Sequence, residues 1–143
     1  MRKSSLLSAA LILLPAGAFA AGINAVTAIE VAEKAGLAEV TIRGSKPPSF
    51  TTYSLVDPPR FVVDISEAGL EGAKRKRSGV GAVKEVNAIS FGEGAYAMAR
   101  VTVTFVGVTE APDVVVSGNQ ILLRVQSQPG VSAAAAPAAS PPA

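Results

Sequence analysis

The chain has 143 residues, with 13 Lys and Arg against 11 Asp and Glu, and it contains neither His nor Cys. These absences exclude disulfide bonds, thiolate nucleophiles and the serine-histidine and cysteine-histidine mechanisms, and they remove the commonest metal ligand. An enzyme would have to rely on paired carboxylates or an activated Lys, so the composition favours a binding protein with no cofactor and no metal.

Residues 1–20 are typical of a cleaved signal peptide. Arg2 and Lys3 precede an apolar run over residues 6–14, and Ala18 and Ala20 occupy the two positions that a signal peptidase reads. About nine apolar residues are too few to cross a bilayer, which takes roughly twenty. We therefore expect export and no membrane insertion after cleavage. The mature chain would carry eleven charges of each sign.

Alternation of apolar and polar residues predicts short, half-buried strands within residues 22–127. The apolar members are Ala38, Val40, Ile42, Phe61, Val63, Ile65, Val101, Val103, Phe105, Ile121, Leu123 and Val125. Turn-forming residues separate these strands at 34–36, 45–48, 57–59, 92–94 and 117–119. Residues 28–38 favour a helix by composition, but Gly36 interrupts them, so two strand ends around a tight turn are expected.

The two halves of the domain, residues 22–65 and 84–127, resemble each other after a shift of sixty residues, which places 26–29 on 86–89. Strand order and turn order match better than residue identity does. The sequence therefore predicts an all-β fold in which a duplicated four-strand unit, one per half, gives a small β-sandwich of two pseudo-symmetric antiparallel sheets.

Two further segments differ in composition from the predicted strands. Residues 66–83 join the halves and contain four adjacent cations at 74–77 between glycines, which predicts a mobile surface loop. That loop would be a solvated connector or an electrostatic handle for an anionic partner. Nucleic acid is not expected as a partner, because no aromatic platform lies beside the cations. Residues 128–143 are rich in Ala and Pro and predict a disordered linker or tail.

The segment 53–65, which contains the run D-P-P-R-F-V-V-D-I, resembles the signature of the AMIN domain family, together with the segments 26–29 and 38–42 that precede it. The resemblance extends over roughly residues 23–125. It implies a two-sheet β module of periplasmic envelope proteins. Such modules occur at the front of N-acetylmuramoyl-L-alanine amidases and of type IV pilus secretins, where they bind peptidoglycan and position their owner.

The polar sides of the strands supply candidate contacts with peptidoglycan, which offers acetamido groups, hydroxyls and stem-peptide carboxylates. Arg binds a carboxylate bidentately, and Thr supplies one donor and an acceptor. We expect the following residues on one surface: Thr41, Arg43, Arg60, Asp64, Arg100 and Thr102. The alternative is an ordinary solvated sheet face with cross-strand ion pairs. The aromatic residues Phe50, Tyr53, Phe91 and Tyr96 fit core or rim positions more readily than sugar platforms.

Together these observations predict a non-catalytic periplasmic protein, monomeric or weakly associating, that binds peptidoglycan and positions an envelope complex. A type IV pilus secretin is the partner expected ahead of a cell-wall amidase. The alternative is a protein-protein adaptor that pairs an exposed strand edge with another envelope protein. A hydrolase would need two converging acidic residues among Asp57, Asp64, Glu67 and Asp113, each of which has a simpler interpretation in a turn or on a solvent face.

Overall fold

The computed structural model describes residues 22–126, so the expected signal peptide and the expected tail both lie outside the described residues. Within 22–126 the chain forms ten β-strands and one turn of 3-10 helix at Gly94–Tyr96. The strands are β1 (Asn24–Lys34), β2 (Leu37–Gly44), β3 (Phe50–Val56), β4 (Pro59–Ser66), β5 (Ala68–Leu70), β6 (Lys76–Ser78), β7 (Val83–Phe91), β8 (Met98–Phe105), β9 (Asp113–Ser117) and β10 (Gln120–Gln126). No helix in this part of the chain is long and apolar enough to span a membrane.

The strands of residues 22–126 form two five-stranded sheets. The first sheet has the order β5-β1-β2-β10-β9, and the second has the order β3-β4-β8-β7-β6. Neighbouring strands are antiparallel except for β1 and β5, which are parallel. The predicted fold class, a small all-β sandwich with two mainly antiparallel sheets, is confirmed.

Each half of the chain contributes strands to both sheets. The first half places β1 and β2 in the first sheet and β3 and β4 in the second, whereas the second half places β7 and β8 in the second sheet and β9 and β10 in the first. The sixty-residue shift therefore converts one strand order into the other, with β5 taking the place of β6. The pseudo-symmetry relates two intertwined halves rather than two halves that each form a sheet.

The core lies between the two sheets and follows the predicted alternation. The side chains of Val40, Val63, Val101 and Leu123, on the strands β2, β4, β8 and β10 respectively, are fully buried. Burial of each such side chain stabilises the fold by about 1.5–3 kcal/mol. Phe50 of the outer strand β3 is partly buried and packs against this core.

The connection between β1 and β2 is the tight turn that Gly36 indicated. Ala35 and Gly36 have φ values of 50° and 77°, and positive φ at both central residues matches a type I′ hairpin turn. The strands on either side pair in register from Lys34 opposite Leu37 onward. Residues 28–34 and 37–38 are accordingly extended on either side of this turn, because pairing between β1 and β2 outweighs their modest helix propensity.

Residues 66–83 contain two short edge strands in place of the expected mobile loop. β5 lies parallel to β1 and fully buries Ala68, while β6 pairs with β7. In the basic run, Arg77 donates from Nε to the carbonyl oxygen of Ile29 at 2.9 Å. Charge repulsion within the run is outweighed locally because this guanidinium caps a β1 carbonyl and Lys76 has an acidic neighbour, Glu85, at 3.3 Å.

Candidate binding face

The outward side chains of the second sheet form a continuous surface, which we call the second-sheet face. Residues directly opposite each other in an antiparallel pair share a face, so the register gives its rows. The rows are Thr51, Asp64, Arg100 and Ile89; then Tyr53, Val62, Thr102 and Asn87; then Leu55, Arg60, Thr104 and Glu85. Four of the six predicted site residues, Arg60, Asp64, Arg100 and Thr102, therefore lie together on this face.

An ion pair between Asp64 and Arg100 lies near one end of the second-sheet face. Arg100 donates from Nε to Oδ1 at 2.7 Å and from its terminal nitrogen to Oδ2 at 2.8 Å, which is the bidentate geometry of a strong charge-assisted pair. The Asp64 side chain is 10% exposed and that of Arg100 is 35% exposed. The hydrogen bonds to Asp64 raise the pKa of Arg100 above its usual value.

The interpretation of Asp64 as a solvent-face residue is wrong, because its neighbours bury it. Val62, two residues before Asp64 on β4, points to the same outer side of the strand and is only 2% exposed. Larger side chains on the flanking strands cover this inner strand, so both faces of β4 are largely buried. Two donors of Arg100 already bind Asp64, so this guanidinium holds the surrounding side chains in place and has fewer donors left to bind a ligand.

Two aromatic rings flank the guanidinium of Arg100. Its central carbon lies 6.0 Å from the centre of the Tyr53 ring and 5.5 Å from the centre of the Phe91 ring. Distances of this size allow cation-π attraction, which orients the rings relative to the ion pair. Tyr53 and Phe91 remain 39% and 44% exposed, so ring surface is available to a ligand. Tyr96, by contrast, is 89% exposed in the 3-10 turn.

An open groove of about 620 Å³ runs along the other end of the second-sheet face. Arg60, Asn87, Thr102 and Thr104 line it, and Pro58 and Pro59 form part of its wall. The Nε atom of Arg60 is buried and has no hydrogen-bond partner within residues 22–126, as is the case for Nε of Arg124 on the first sheet. Arg60 also forms no ion pair in the described part of the chain. The groove therefore combines an available cation with hydroxyl and amide groups.

Glu85 closes one side of the groove and is held by two neighbours. Asn87 donates from Nδ2 to its carboxylate at 3.0 Å, and the ammonium of Lys76 lies 3.3 Å from it. The hydrogen bond from Asn87 and the contact with Lys76 lower the pKa of Glu85 below its usual value. The carboxylate is thus kept ionised at the groove rim, where it constrains the orientation of Asn87.

The outward side chains of the first sheet form a separate surface, the first-sheet face, on which most of the charges form ion pairs. Arg43 lies 3.3 Å from Glu30, while Glu39 lies 3.4 Å from Arg124 and 3.6 Å from Lys34. Opposite charges on neighbouring strands therefore neutralise each other across this sheet.

The expectation that all six candidate residues share one surface is wrong for Thr41 and Arg43. Both lie on β2, which belongs to the first sheet, and therefore point to the opposite side of the sandwich from Arg60 and Arg100. Alternation along β2 correctly gave their outward direction, but it carried no information about which sheet β2 joins. Arg43 has the ordinary cross-strand partner that the alternative interpretation described.

Several contributors to the second-sheet face were absent from the predicted site. Thr104 follows Thr102 by two residues, so the period of two could have indicated it. Asn87 lies directly opposite Thr102 on the neighbouring strand, and only strand pairing shows that position. The flanking of Arg100 by Tyr53 and Phe91 likewise depends on strand order. Within residues 22–126 no group of three or more acidic side chains could hold a metal ion.

The fold and its two outer surfaces define a small all-β module with one ion-paired face and one face of available polar and aromatic groups. A family model described as AMIN domain matches residues 28–130. No match was found among curated proteins. The chain belongs to the AMIN domain family. AMIN domains are non-catalytic, periplasmic targeting modules that bind peptidoglycan.

Proposed function

We propose that this protein binds peptidoglycan through the second-sheet face and thereby positions an envelope complex, the secretin machinery of a type IV pilus. The observation that supports the choice of face is the contrast between the two outer surfaces. Every cation on the strands of the first-sheet face has a carboxylate within 3.6 Å, whereas Arg60 on the second-sheet face has no anionic partner in the described part of the chain. In this proposal residues 1–20 direct export of the protein to the periplasm, and the protein has no catalytic activity of its own.

The chemistry of the second-sheet face matches the groups of the polymer. Arg60 can form paired hydrogen bonds with a stem-peptide carboxylate, since a guanidinium presents a planar fork of donors. Thr102, Thr104 and Asn87 can exchange hydrogen bonds with sugar hydroxyls and acetamido groups. The groove is open, so each contact is shallow and weak. A repetitive polymer strengthens such binding when several modules act together.

A pull-down on purified peptidoglycan sacculi tests the assignment. Arg60→Ala should lower the retained fraction severalfold, because it removes one of the two cations that line the groove, Arg60 and Lys84, and retention of the unmodified protein should fall with rising salt. Arg43→Ala is the matched control, since it removes an exposed Arg of β2 from the first-sheet face, and it should leave retention unchanged. Equal losses in both variants would contradict the choice of face, and no retention of the unmodified protein at low salt would contradict wall binding altogether.

The role in a pilus machine needs a separate measurement. The D-P-P-R-F-V-V-D-I resemblance applies to secretins and to amidases alike, so the proposal is tested by affinity purification of the tagged full chain from its own cells. Recovery of secretin multimers after muramidase treatment supports the proposal. Recovery of a cell-wall amidase and no secretin would contradict the secretin as partner and identify the amidase in its place, while the wall-binding proposal would be unaffected.

A further inference from the structure

The outer strand β3 forms an unprotected edge of the second sheet. It spans seven residues, Phe50–Val56, without a charged residue or a proline, and it pairs with β4 without a register shift. Natural edge strands are usually short, charged, bulged or interrupted by proline, because an open row of backbone donors and acceptors recruits other strands. The other edges within residues 22–126 carry such protection. Two of them, β5 and β6, are three residues long, and β9 is five residues long and begins with Asp113.

The hydrogen-bonding phase of β3 shows which of its backbone groups are free. Ser66 donates its backbone N–H to the carbonyl oxygen of Ser49, and hydrogen-bonded pairs alternate along an antiparallel ladder. In the same register Thr51, Tyr53 and Leu55 therefore direct their backbone groups toward β4. The remaining four residues, Phe50, Thr52, Ser54 and Val56, direct theirs away from the sheet.

This phase and the side chains of β3 fit a second copy of the same strand. In an antiparallel pair related by a twofold axis at Tyr53, the residue Thr52 faces Ser54 of the other copy, and Phe50 faces Val56. These are the positions with outward backbone groups, so the pair would gain about eight backbone hydrogen bonds. Small hydroxyl residues meet each other, and Val56, which is 87% exposed, gains an apolar neighbour. No like charges are brought together, since β3 carries none.

We propose that two copies of this protein associate through β3, so that their second sheets join into one continuous sheet about a twofold axis at Tyr53. The twofold axis is perpendicular to the joined sheet, which places both second-sheet faces on the same side. The surface area buried by one strand pair is small compared with the roughly 1,200–2,000 Å² buried in stable complexes. The expected dissociation constant of the dimer is therefore about 10 μM to 1 mM. The association does not depend on peptidoglycan binding, but it would give a polymer two faces to bind.

Single cysteine variants of the full chain test this register, because the sequence contains no other Cys. In the proposed pair the two copies of residue 53 form a non-hydrogen-bonded pair with α-carbons about 4.5 Å apart, within disulfide range. The two copies of residue 51 would lie roughly 14 Å apart, beyond that range. Tyr53→Cys should therefore form a disulfide dimer about tenfold faster than Thr51→Cys on the same face of the same strand. Val116→Cys, on the exposed edge strand β9, should be as slow as Thr51→Cys.

Sedimentation equilibrium supplies the second measurement. The average mass of the unmodified protein should rise toward that of a dimer between about 10 μM and 1 mM. Ser54→Pro should abolish the rise while leaving the unfolding midpoint within a few degrees, because the N–H of Ser54 points away from β4 and is not part of the existing ladder. Equal disulfide rates for the three cysteine variants, or a constant monomer mass, would overturn the proposal, including the case in which β3 pairs only with a strand of another protein. If Ser54→Pro fails to fold, the cysteine comparison still decides.

Discussion

The two members of the ion pair between Asp64 and Arg100 should contribute unequally to stability when each is substituted alone. Removal of one member of a buried pair costs about 3–5 kcal/mol, whereas an exposed pair contributes about 0.2–1 kcal/mol. The side chain of Asp64 is 10% exposed and so resembles a member of a buried pair, whereas the side chain of Arg100 is 35% exposed and remains partly solvated. Loss of the Arg leaves a covered carboxylate without its two donors, whereas loss of the carboxylate leaves a guanidinium that water can still reach.

Arg100→Met should therefore lower the free energy of unfolding by about 3 kcal/mol, and Asp64→Asn by about 1–2 kcal/mol after allowance for solvent at the guanidinium. The Met side chain keeps apolar contact with Tyr53 and Phe91, so the loss reports chiefly on the charge pair. For a folded unit of the size of residues 22–126, 3 kcal/mol corresponds to a decrease in Tm of roughly 12–15 °C. The double variant should cost less than the sum, because its second substitution removes a charge already left unpaired.

Urea unfolding followed by far-ultraviolet circular dichroism measures all three variants. Arg43→Met is the matched control, since its partner Glu30 is 51% exposed and its own side chain is 49% exposed, and it should cost less than about 1 kcal/mol. The reasoning would be refuted if Asp64→Asn were as costly as Arg100→Met, or if both were as mild as the control. Equal large costs would mean that water does not reach the guanidinium of Arg100, and equal small costs would mean that water reaches the carboxylate of Asp64 in the folded protein.

Two further predictions concern the core and the groove. Leu123→Ala should cost about 2–4 kcal/mol in urea unfolding, because Leu123 is fully buried between the sheets, whereas Leu122→Ala, on the outward side of the same strand, should cost less than half as much. Comparable losses would show that the register of β10 is wrong. The lowered pKa of Glu85 stabilises the folded state above the ordinary glutamate pKa of 4.5, and this stabilisation is lost as the pH falls through the lower value in the folded protein. Glu85→Gln should thus lower Tm at neutral pH and flatten its decrease in acid, and identical profiles in a pH series of thermal melts would contradict the assignment.

Much of the local structure follows from the sequence because strand periodicity is a short-range property. Val40, Val101 and Leu123 were expected inside, and they are, since alternate residues of a strand always point to opposite faces. The reversal at Gly36 was also predictable, because a glycine readily adopts the positive φ that the turn requires. Segments as short as β5 and β6 were not, since three residues give no detectable period and their pairing comes from β1 and β7.

The candidate site was only partly predictable because it is assembled from different strands. Alternation correctly gave the outward direction of Arg43 and Arg60, but the two lie on opposite sides of the sandwich. It also placed Asp64 on the solvent side, where the structure buries it beside Arg100. Burial of an outward side chain depends on the size of its cross-strand neighbours, and those neighbours are distant in sequence.

The sequence by itself determined an all-β fold of duplicated halves, the absence of His and Cys chemistry, and a resemblance to the AMIN family that the family match confirmed. Only the tertiary structure decided that the halves intertwine, that the strand cations of the first-sheet face are paired while Arg60 on the other face has no anionic partner in the described residues, and that β3 forms an open edge. The physical reason is that the direction of a side chain is fixed by its own strand. The neighbours of that side chain are fixed by pairing between strands far apart in the chain.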